Sequence, residues 1–342
     1  MIIQHLIQKL WYPTHWKWRC LAYLLSPISL LYYFATRLDH WFGKKQRFYS
    51  SVPLIVIGNL TTGGTGKTPV LIALAQLLTE AKLQVGIISR GYKSAAENAA
   101  SAVLATKTSS AHEIGDEPLL IFQHTSCPLA IHANRKLAIN TLLDAHPQLD
   151  VILSDDGPQN AKLARDIEII VLGEKGLGNG LLLPTGPLRE GKSHLKTADF
   201  CIQKDQNFSF TAHSFHPCTA THSSLKLSHF KDQEVYAVAG IANPERFFQT
   251  LSELGMKPIP KIFPDHHAFQ ESDFSNFTDH PIIMTEKDAV KCFDFNLTNA
   301  YYLEMRGVVT PQLQHAFLDK VRYHIEKKKH ELIVLTNCKA SG

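Results

Sequence analysis

The chain has 342 residues, of which 44% are hydrophobic, so it is long enough for two domains with substantial cores. A net charge of +4 with scattered basic residues argues against a nucleic-acid partner, and we expect none. The six cysteines are far apart and form no C-x-x-C pair. This pattern excludes an obvious zinc or redox motif and is typical of a reducing cytoplasm.

Residues 1–48 begin the chain with an apolar, aromatic segment. No charged residue occurs between Arg19 and Arg37, and tryptophans and cations flank this run. The run is shorter than the roughly 20 apolar residues of a spanning helix, contains Pro27 and lacks a signal-peptide cleavage site. The pattern favours a helical segment that lies in the lipid interface. The alternatives are a buried pair of core helices and a short tilted span.

A glycine-rich turn, residues 58–69, follows a strand pattern and precedes a helical pattern. This arrangement is typical of a loop whose backbone amides hold phosphate groups. We expect Lys67 to reach the terminal phosphates and Thr68 to ligate Mg²⁺. Thr61 replaces the glycine usual five positions before Gly66, and a turn without a ligand is the alternative. The predicted nucleotide-binding residues are Gly63, Gly64, Thr65, Gly66, Lys67 and Thr68.

Strand-like and helix-like patterns alternate from residue 52 onward, which predicts a parallel sheet with helices on both faces. The predicted strands are 52–57, 85–89, 102–105, 128–132, 151–154, 167–172, 235–239 and 281–284. Helices are predicted at 70–81, 133–145 and 244–255, and from residue 285. The polar residues 204–224 are interpreted as a connector. The fold class is therefore α/β, a P-loop NTPase-like core with a smaller C-terminal α/β domain and an N-terminal membrane-associated helix.

The predicted domain limits follow from these changes of pattern. The apolar segment covers residues 1–48, the P-loop core 49–222 and the smaller α/β domain 223–326. Residues 327–342 begin with three lysines and are interpreted as a peripheral tail.

Two adjacent acids, Asp155 and Asp156, follow the buried strand pattern that begins at Val151. The carboxyl end of a parallel strand borders the crevice in which open α/β sheets bind ligands. One of these carboxylates is therefore expected to hold Mg²⁺, directly or through water. A solvated Asp-Asp-Gly turn is the alternative.

Four further segments carry polar residues in predicted loops, where binding and catalytic residues are often found. Asp116 and Glu117 precede an apolar helix, where acids also act as helix caps. The other three are 89–92, 184–190 and 263–267.

The ordered set of these segments resembles the tetraacyldisaccharide 4′-kinases, the lipid A 4′-kinases of Gram-negative bacteria. The resemblance covers nearly the whole chain and includes the unusual Thr61. The matching motifs are the aromatic N-terminal segment, Gly58-Asn59, Gly64 to Pro69, Ser89-Arg90-Gly91-Tyr92, Gly115-Asp116-Glu117-Pro118, Asn134-Arg135, Asp155-Asp156-Gly157, Gly186 to Glu190, Phe263-Pro264-Asp265-His266 and Thr285-Glu286-Lys287-Asp288.

The resemblance implies transfer of the ATP γ-phosphoryl group to the 4′-hydroxyl of a tetraacylated glucosamine disaccharide 1-phosphate, which gives lipid IVA. It implies Asp116 as the base with His266 assisting, and Lys67 as the phosphate-binding cation. ATP and Mg²⁺ are the implied cofactors. The implied metal ligands are Thr68, Asp155, Asp156 and Glu117, and the implied substrate contacts are Tyr92, Arg135, Gln159, Arg189 and Glu190.

One departure follows the Asp-Asp-Gly turn, where the family has Gln-His and this chain has Gln159-Asn160. Asn160 can form hydrogen bonds but cannot titrate near neutrality, so a proton-handling role at this position is in question.

The resemblance also implies work at the cytoplasmic face of the inner membrane, with the acylated disaccharide as partner and no obligate protein partner. A membrane-docked P-loop ATPase or nucleotide switch is the alternative function, and a soluble small-molecule kinase is another.

Overall fold

The computed structural model describes residues 2–44, 47–62, 65–155, 163–173, 175–219, 224–241, 244–264, 267–293, 295 and 297–340. The chain divides into two compact units, one of Met1–Ser209 with Val308–Gly342 and one of Phe210–Gly307. These limits differ from the expected boundaries after residues 48, 222 and 326. They differ because the N-terminal and C-terminal helices both belong to the first unit.

The described helices are α1 Ile2–Trp11, α2 Trp16–Lys44, α3 Lys67–Glu80, α4 Ala111–Ile114, α5 Asp116–Thr125, α6 Arg135–Ala145, α7 Pro244–Glu253, α8 Glu286–Ala289 and α9 Pro311–Ala340. The described strands are β1 Leu54–Gly58, β2 Val85–Ser89, β3 Val103–Leu104, β4 Leu129–Ile131, β5 Val151–Asp155, β6 Ile167–Leu172, β7 Phe200–Gln203, β8 Phe208–Pro217, β9 Glu234–Ala239, β10 Lys257–Ile262, β11 Ile282–Thr285 and β12 Ala300–Val309.

The first unit is built on a sheet in the order β3-β4-β2-β5-β1-β6-β7. Its strands are parallel except for β3, which runs antiparallel to β4. Every residue of β1, β2 and β5 is buried, as expected for strands covered on both faces. Since these strands are parallel, their carboxyl ends lie at one edge of the sheet.

Helices α3 and α6 cover this sheet. Leu54 and Val56 of β1 pack in one core cluster with Ile139 and Leu142 of α6. Alternate residues of a strand point to opposite faces, so the equally buried Ile55 faces the other side. The predicted parallel α/β architecture is confirmed.

The second unit contains a smaller sheet in the order β10-β9-β11-β12-β8. Strands β9, β10, β11 and β12 pair in parallel. Their shared direction brings the residues that follow β9, β10 and β11 to one edge. Those residues are Gly240, Phe263 and Glu286.

The prediction of a connector over residues 204–224 is wrong for its central part. Residues Phe208–Pro217 form β8, an edge strand of the second sheet. Phe208 and Phe215 are buried, whereas Ser209 and His213 are exposed. The polar residues that suggested a linker occupy the solvent side of a half-buried strand.

The predicted tail from residue 327 is helical where the structure describes it. Helix α9 continues through residues 327–340. Lys328 Nζ donates to Ser50 O at 3.1 Å and lies 3.5 Å from Asp166 Oδ1. Lys328 therefore ties this part of the helix to the rest of the first unit, whereas Lys329 is exposed.

Helices α1 and α2 lie against the loop that follows β6. Trp11 Nε1 donates to Pro184 O at 2.9 Å, and Ser29 Oγ lies 2.6 Å from Thr185 Oγ1. Another face of α2 is open, because Leu24 and Leu31 are 76% and 72% exposed. The helices are therefore not a pair buried in the core.

No helix in the described part of the chain is both long enough and apolar enough to cross a bilayer.

Candidate active site

The phosphate loop follows β1 and ends where α3 begins. Gly66 has φ 82° and ψ 27°, a left-handed conformation that glycine adopts at little cost. Among the described residues, a Cβ added to Gly66 would meet nothing within 4 Å, so the space before the helix is open. Lys67 and Thr68 are the first two residues of α3 and are half-buried. This geometry fits an anion, since amide groups and the helix dipole favour negative charge there.

Thr65 gives a second indication of a polar ligand. Its Oγ1 atom is buried and makes no hydrogen bond within the described part of the chain. A Cβ added to Gly173, just after β6, would lie 3.3 Å from Thr65 Cα, so the wall behind Thr65 is tight. Buried hydroxyls nearly always have a partner. A phosphate oxygen or a water would supply one.

A second segment, residues 187–189, braces the phosphate loop. Thr62 N donates to Pro187 O at 2.9 Å, and Arg189 N donates to Leu60 O at 2.7 Å. These two backbone hydrogen bonds join the motif that ends at Glu190 to the loop that precedes α3. The predicted substrate residue Arg189 therefore lies beside the phosphate loop.

Asp155 lies at the carboxyl edge of the first sheet. It pairs in register with Ile57 of β1 and is 4% exposed. Its Oδ2 atom accepts a hydrogen bond from Ser89 Oγ at 3.2 Å. Residues at the ends of β1, β2 and β5 thus converge where an α/β sheet binds its ligand.

Arg135, the first residue of α6, contacts this edge of the sheet. It is 5% exposed, and its two terminal nitrogens donate to His132 O and Asp155 O, each at 2.9 Å. The guanidinium therefore holds the backbone of Asp155 in place. Its predicted contact with the substrate stays a prediction.

Asp116 is the first residue of α5 and is exposed. The preceding Gly115 lies against the turn after β2, since a Cβ added to it would lie 3.5 Å from Gly91 Cα. Gly91 has φ 67°, and a Cβ added there would lie 2.7 Å from Ser94 Oγ. Only glycine fits this contact, which brings the start of α5 to the carboxyl end of β2. Glu117 is exposed in the same turn.

Tyr92 projects from the turn after β2. It is 67% exposed, and its ring centroid lies 5.9 Å from Arg90 Cζ and 5.3 Å from Lys93 Nζ. An open aromatic face with two cations nearby suits a phosphorylated sugar. This contact also stays a prediction.

His194 is a residue that the sequence reasoning missed. Its Nε2 atom lies 2.9 Å from Glu168 Oε1, and its Nδ1 atom contacts the predicted substrate residue Glu190. Hydrogen bonds to Glu168 and Glu190 raise the pKa of His194 to about 9, although its burial acts in the opposite direction. The four-residue spacing from Glu190 was the available signal.

Several predicted site residues lie outside the described residues. They are Gly63, Gly64, Asp156, Gln159 and His266. The departure at Asn160 lies outside them as well.

A family model described as LpxK, tetraacyldisaccharide-1-P 4′-kinase, matches residues 21–322. The chain belongs to this family. Tetraacyldisaccharide 4′-kinases of Legionella pneumophila (strain Lens) and Shewanella frigidimarina (strain NCIMB 400) are 42% and 40% identical to it. The alignments cover 91% and 96% of this chain and 96% and 98% of those proteins.

A solved structure of LpxK from Aquifex aeolicus, described as an "apo" form in complex with ATP, is similar with a TM-score of 0.68. Its sequence is 26% identical, and the match covers 89% of this chain and 99% of the other. The P-loop kinase-like fold and the tetraacyldisaccharide 4′-kinase function are therefore confirmed. Membership of the LpxK family gives no support to a nucleotide switch or a soluble small-molecule kinase. The roles of individual site residues stay predictions.

Proposed function

We propose that this LpxK family member transfers the γ-phosphoryl group of ATP to the 4′-hydroxyl of a tetraacylated glucosamine disaccharide 1-phosphate. The product is lipid IVA. The observation that carries the proposal is the open space at Gly66, where the loop after β1 meets α3, together with the buried Asp155 at the end of the neighbouring strand β5. The ATP in the solved relative from Aquifex aeolicus supports the same choice of donor.

The nucleotide and its ion have a consistent set of partners. Residues 63–68 would hold the phosphates, with Lys67 on the terminal ones. Thr68 and one of Asp155 and Asp156 would hold Mg²⁺, and Glu117 is a further candidate. Bound ATP would supply the phosphoryl group, and Mg²⁺ together with Lys67 would neutralise its charge. The buried Thr65 Oγ1 and the open space at Gly66 fit such a group.

Asp116 is the proposed base. A sugar hydroxyl is a weak nucleophile and gains reactivity when a carboxylate accepts its proton as the new bond forms. The acceptor oxygen forms a bond to phosphorus, its proton passes to Asp116, and the bridging oxygen leaves with ADP. His266 is the proposed assisting residue, as the resemblance to the family implies.

The acylated acceptor requires a protein that works at a lipid surface, and we assign this contact to α2. Its large exposed side chains form an apolar face that suits the interface rather than water. They are Trp16, Leu21, Tyr23, Leu24, Ile28, Leu30, Leu31, Phe34, Leu38, Trp41 and Phe42. Because ATP is cytoplasmic, we place the enzyme on the cytoplasmic side of the inner membrane.

The decisive experiment replaces Asp116 with asparagine. Asp116→Asn keeps the shape of the side chain, so ATP binding is expected to stay at the wild-type level. Transfer to the lipid acceptor is expected to fall by about 10²–10⁴, the usual contribution of general acid–base catalysis. Calorimetry with an ATP analogue and product detection by mass spectrometry measure the two effects separately.

Asp144→Asn is the matched control, because Asp144 is an exposed acid of α6 in the same unit. It is expected to leave both ATP binding and transfer unchanged. Wild-type turnover in Asp116→Asn would remove Asp116 from the mechanism. ATP hydrolysis by the wild-type protein without phosphorylated lipid would contradict the proposed function itself.

A further inference from the structure

Asn179, a half-buried residue in the loop that follows β6, joins the end of α1 to a turn in the same loop. Its backbone N–H donates to Trp11 O at 2.8 Å, and its Nδ2 atom donates to Leu10 O at 3.0 Å and to Thr185 O at 2.8 Å. Its Oδ1 atom accepts a hydrogen bond from Leu181 N at 3.0 Å. The side-chain amide thus uses both its donors and its acceptor to hold these parts of the first unit together.

The turn that Asn179 holds leaves little room for movement. Gly186 N donates to Leu182 O at 2.9 Å. A Cβ added to Gly186 would clash with Leu181 O and would lie 2.5 Å from Asn179 Oδ1, so the backbone passes directly over the side-chain amide. Residues 185–188 are all buried. The amide of Asn179 therefore fixes a compact and closely packed segment.

The same segment continues into the residues that pair with the phosphate loop. Thr61 and Leu188 form an antiparallel bridge between the two backbone hydrogen bonds that brace the loop. Leu60 and Leu188 are each 1% exposed and belong to one core cluster. This pairing accounts for Thr61, which stands where the usual motif has a glycine, because extended backbone suits a β-branched side chain. Residues 60–62 are thus aligned by their partners in the loop after β6.

Capping of α1 accounts for only part of the contacts of Asn179. The carbonyl groups in the last turn of a helix have no partner within the helix, and Asn179 donates to those of Leu10 and Trp11. A cap does not require the hydrogen bond to Thr185 O or the one from Leu181 N. These two contacts fix the turn that leads to the phosphate loop.

We propose that Asn179 is a positioning residue for the nucleotide site. It fixes the turn of residues 181–186, and this turn sets the position of residues 187–189, with which residues 60–62 of the phosphate loop pair. The inference rests on the proposed role of the phosphate loop as the nucleotide site. It assigns the loop after β6 a task in ATP binding, beyond the proposed substrate contacts of Arg189 and Glu190.

The test replaces Asn179 with aspartate, which keeps the shape of the side chain and removes its donors. Asn179→Asp places a carboxylate oxygen against Leu10 O and Thr185 O, so the turn is expected to loosen. The Kd of a non-hydrolysable ATP analogue with Mg²⁺ is expected to rise by about tenfold, because small displacements of binding groups are costly. Calorimetry measures this Kd. Asn179→Ser removes the same donors without adding a charge, and its Kd is expected to rise as well.

Asn207→Asp is the matched control, because Asn207 holds another turn of the first unit in the same way. Its Nδ2 atom donates to Cys201 O at 2.7 Å, and its Oδ1 atom accepts a hydrogen bond from Gln203 N at 2.8 Å. The change removes the same kind of donor, so it is expected to lower the unfolding midpoint as Asn179→Asp does. The Kd of the ATP analogue is expected to stay at the wild-type value.

Hydrogen exchange tests the positioning without a nucleotide. The backbone amides of Thr62 and Arg189 donate the two hydrogen bonds that brace the phosphate loop. Both amides are expected to exchange faster in Asn179→Asp than in the wild type, because local opening exposes them to solvent. Their exchange is expected to be unchanged in Asn207→Asp.

Two outcomes overturn the positioning role and leave the nucleotide site in place. One is a wild-type Kd in the folded Asn179 variants, and the other is an equal rise of the Kd in Asn207→Asp. A wild-type protein that does not bind the ATP analogue would instead remove the nucleotide site, and the proposal with it.

Discussion

In the first unit, two residues hold other residues of the candidate site in place. Arg135 illustrates this, because its guanidinium donates to two carbonyl groups at the ends of strands rather than facing open space. His194 contacts the carboxylate of Glu190 through its Nδ1 atom and that of Glu168 through its Nε2 atom. Arg135 therefore acts by fixing the backbone of Asp155, and His194 acts by fixing the carboxylate of Glu190.

We expect His194 to make stability depend on pH. Its pKa is raised from 6.5 to about 9 by Glu168 and Glu190, so folding favours the protonated ring. The contribution is fully present below pH 6.5 and is lost as the pH rises through 9. Its size is about 1–3 kcal/mol for a side chain that is 13% exposed. Arg165 lies 3.2 Å from Glu168 and adds a positive charge to the cluster.

His194→Gln checks this expectation, since glutamine keeps a donor without the charge. The free energy of unfolding is measured by denaturant titration between pH 6 and pH 10 for both proteins. The wild-type advantage is expected to shrink across that range. A difference that stays constant with pH would assign the stabilisation to packing. His229→Gln is a control, because that ring lies in the second unit and has no carboxylate in its described contacts.

At the scale of elements, α2 combines a docked face with an open one. Ser29 contacts Thr185 in the loop after β6, whereas Leu24 and Leu31 are exposed. The loop after β6 continues into residues 187–189, which brace the phosphate loop. One continuous segment, residues 185–189, thus contacts both α2 and the phosphate loop.

We expect the double variant Leu24→Ser with Leu31→Ser to weaken membrane binding at least about tenfold. Each leucine loses part of the roughly 1.5–3 kcal/mol that full burial of its side chain provides. Sedimentation with phospholipid vesicles measures the bound fraction. The unfolding midpoint is expected to stay unchanged, because both side chains are exposed in the protein.

Ile262→Ser is the control for this variant, as Ile262 is 58% exposed on β10 in the second unit. Equal vesicle binding by the wild type and the double leucine variant would show that α2 is not the membrane contact.

The predictability of each element follows from how its side chains are buried. Strands β2 and β6 were predicted with their observed limits, because both are predominantly apolar runs. Strand β8 was missed because its solvent side is polar, and β10 because Pro258 and Pro260 argue against a strand. Prolines are tolerated in β10 because it lies at the edge of its sheet.

The candidate site was predictable where a local motif carries it. The turn around Gly66 and the acid Asp155 were found from the residues that precede and follow them. His194 was not found, although Glu190 lies four residues before it, because its other partner, Glu168, is 26 residues away in sequence. Contacts of this kind depend on the tertiary fold and leave no local pattern.

At the scale of the whole molecule, the first unit is made from two separate stretches of chain. Helix α9 follows the second unit and packs on the first with Phe317, Val321 and Ile325, all buried. Phe317 lies edge-on to Phe200 of β7, with 5.9 Å between ring centroids.

We expect Phe317→Ala to lower the free energy of unfolding of the first unit by about 3–5 kcal/mol, the usual cost of removing a buried phenylalanine. Hydrogen exchange followed by mass spectrometry is expected to show faster exchange in β7 and unchanged protection in β9 and β11. Tyr323→Ala is the control, because Tyr323 is 62% exposed on the same helix. Loss of protection in both units alike would contradict the expectation that the effect is confined to the first unit.

Because the chain returns to its first unit after Gly307, that unit cannot be completed until the last part of the chain has been translated. The nascent chain leaves that unit at Ser209 and completes it only after Val308. While residues 210–307 are being translated, β7 has no cover from Phe317, and the apolar face of α2 is already outside the ribosome. A polypeptide that stops before α9 would contain every nucleotide-binding residue named above and still lack part of its core. Such fragments should be substrates for cellular quality control rather than active kinases.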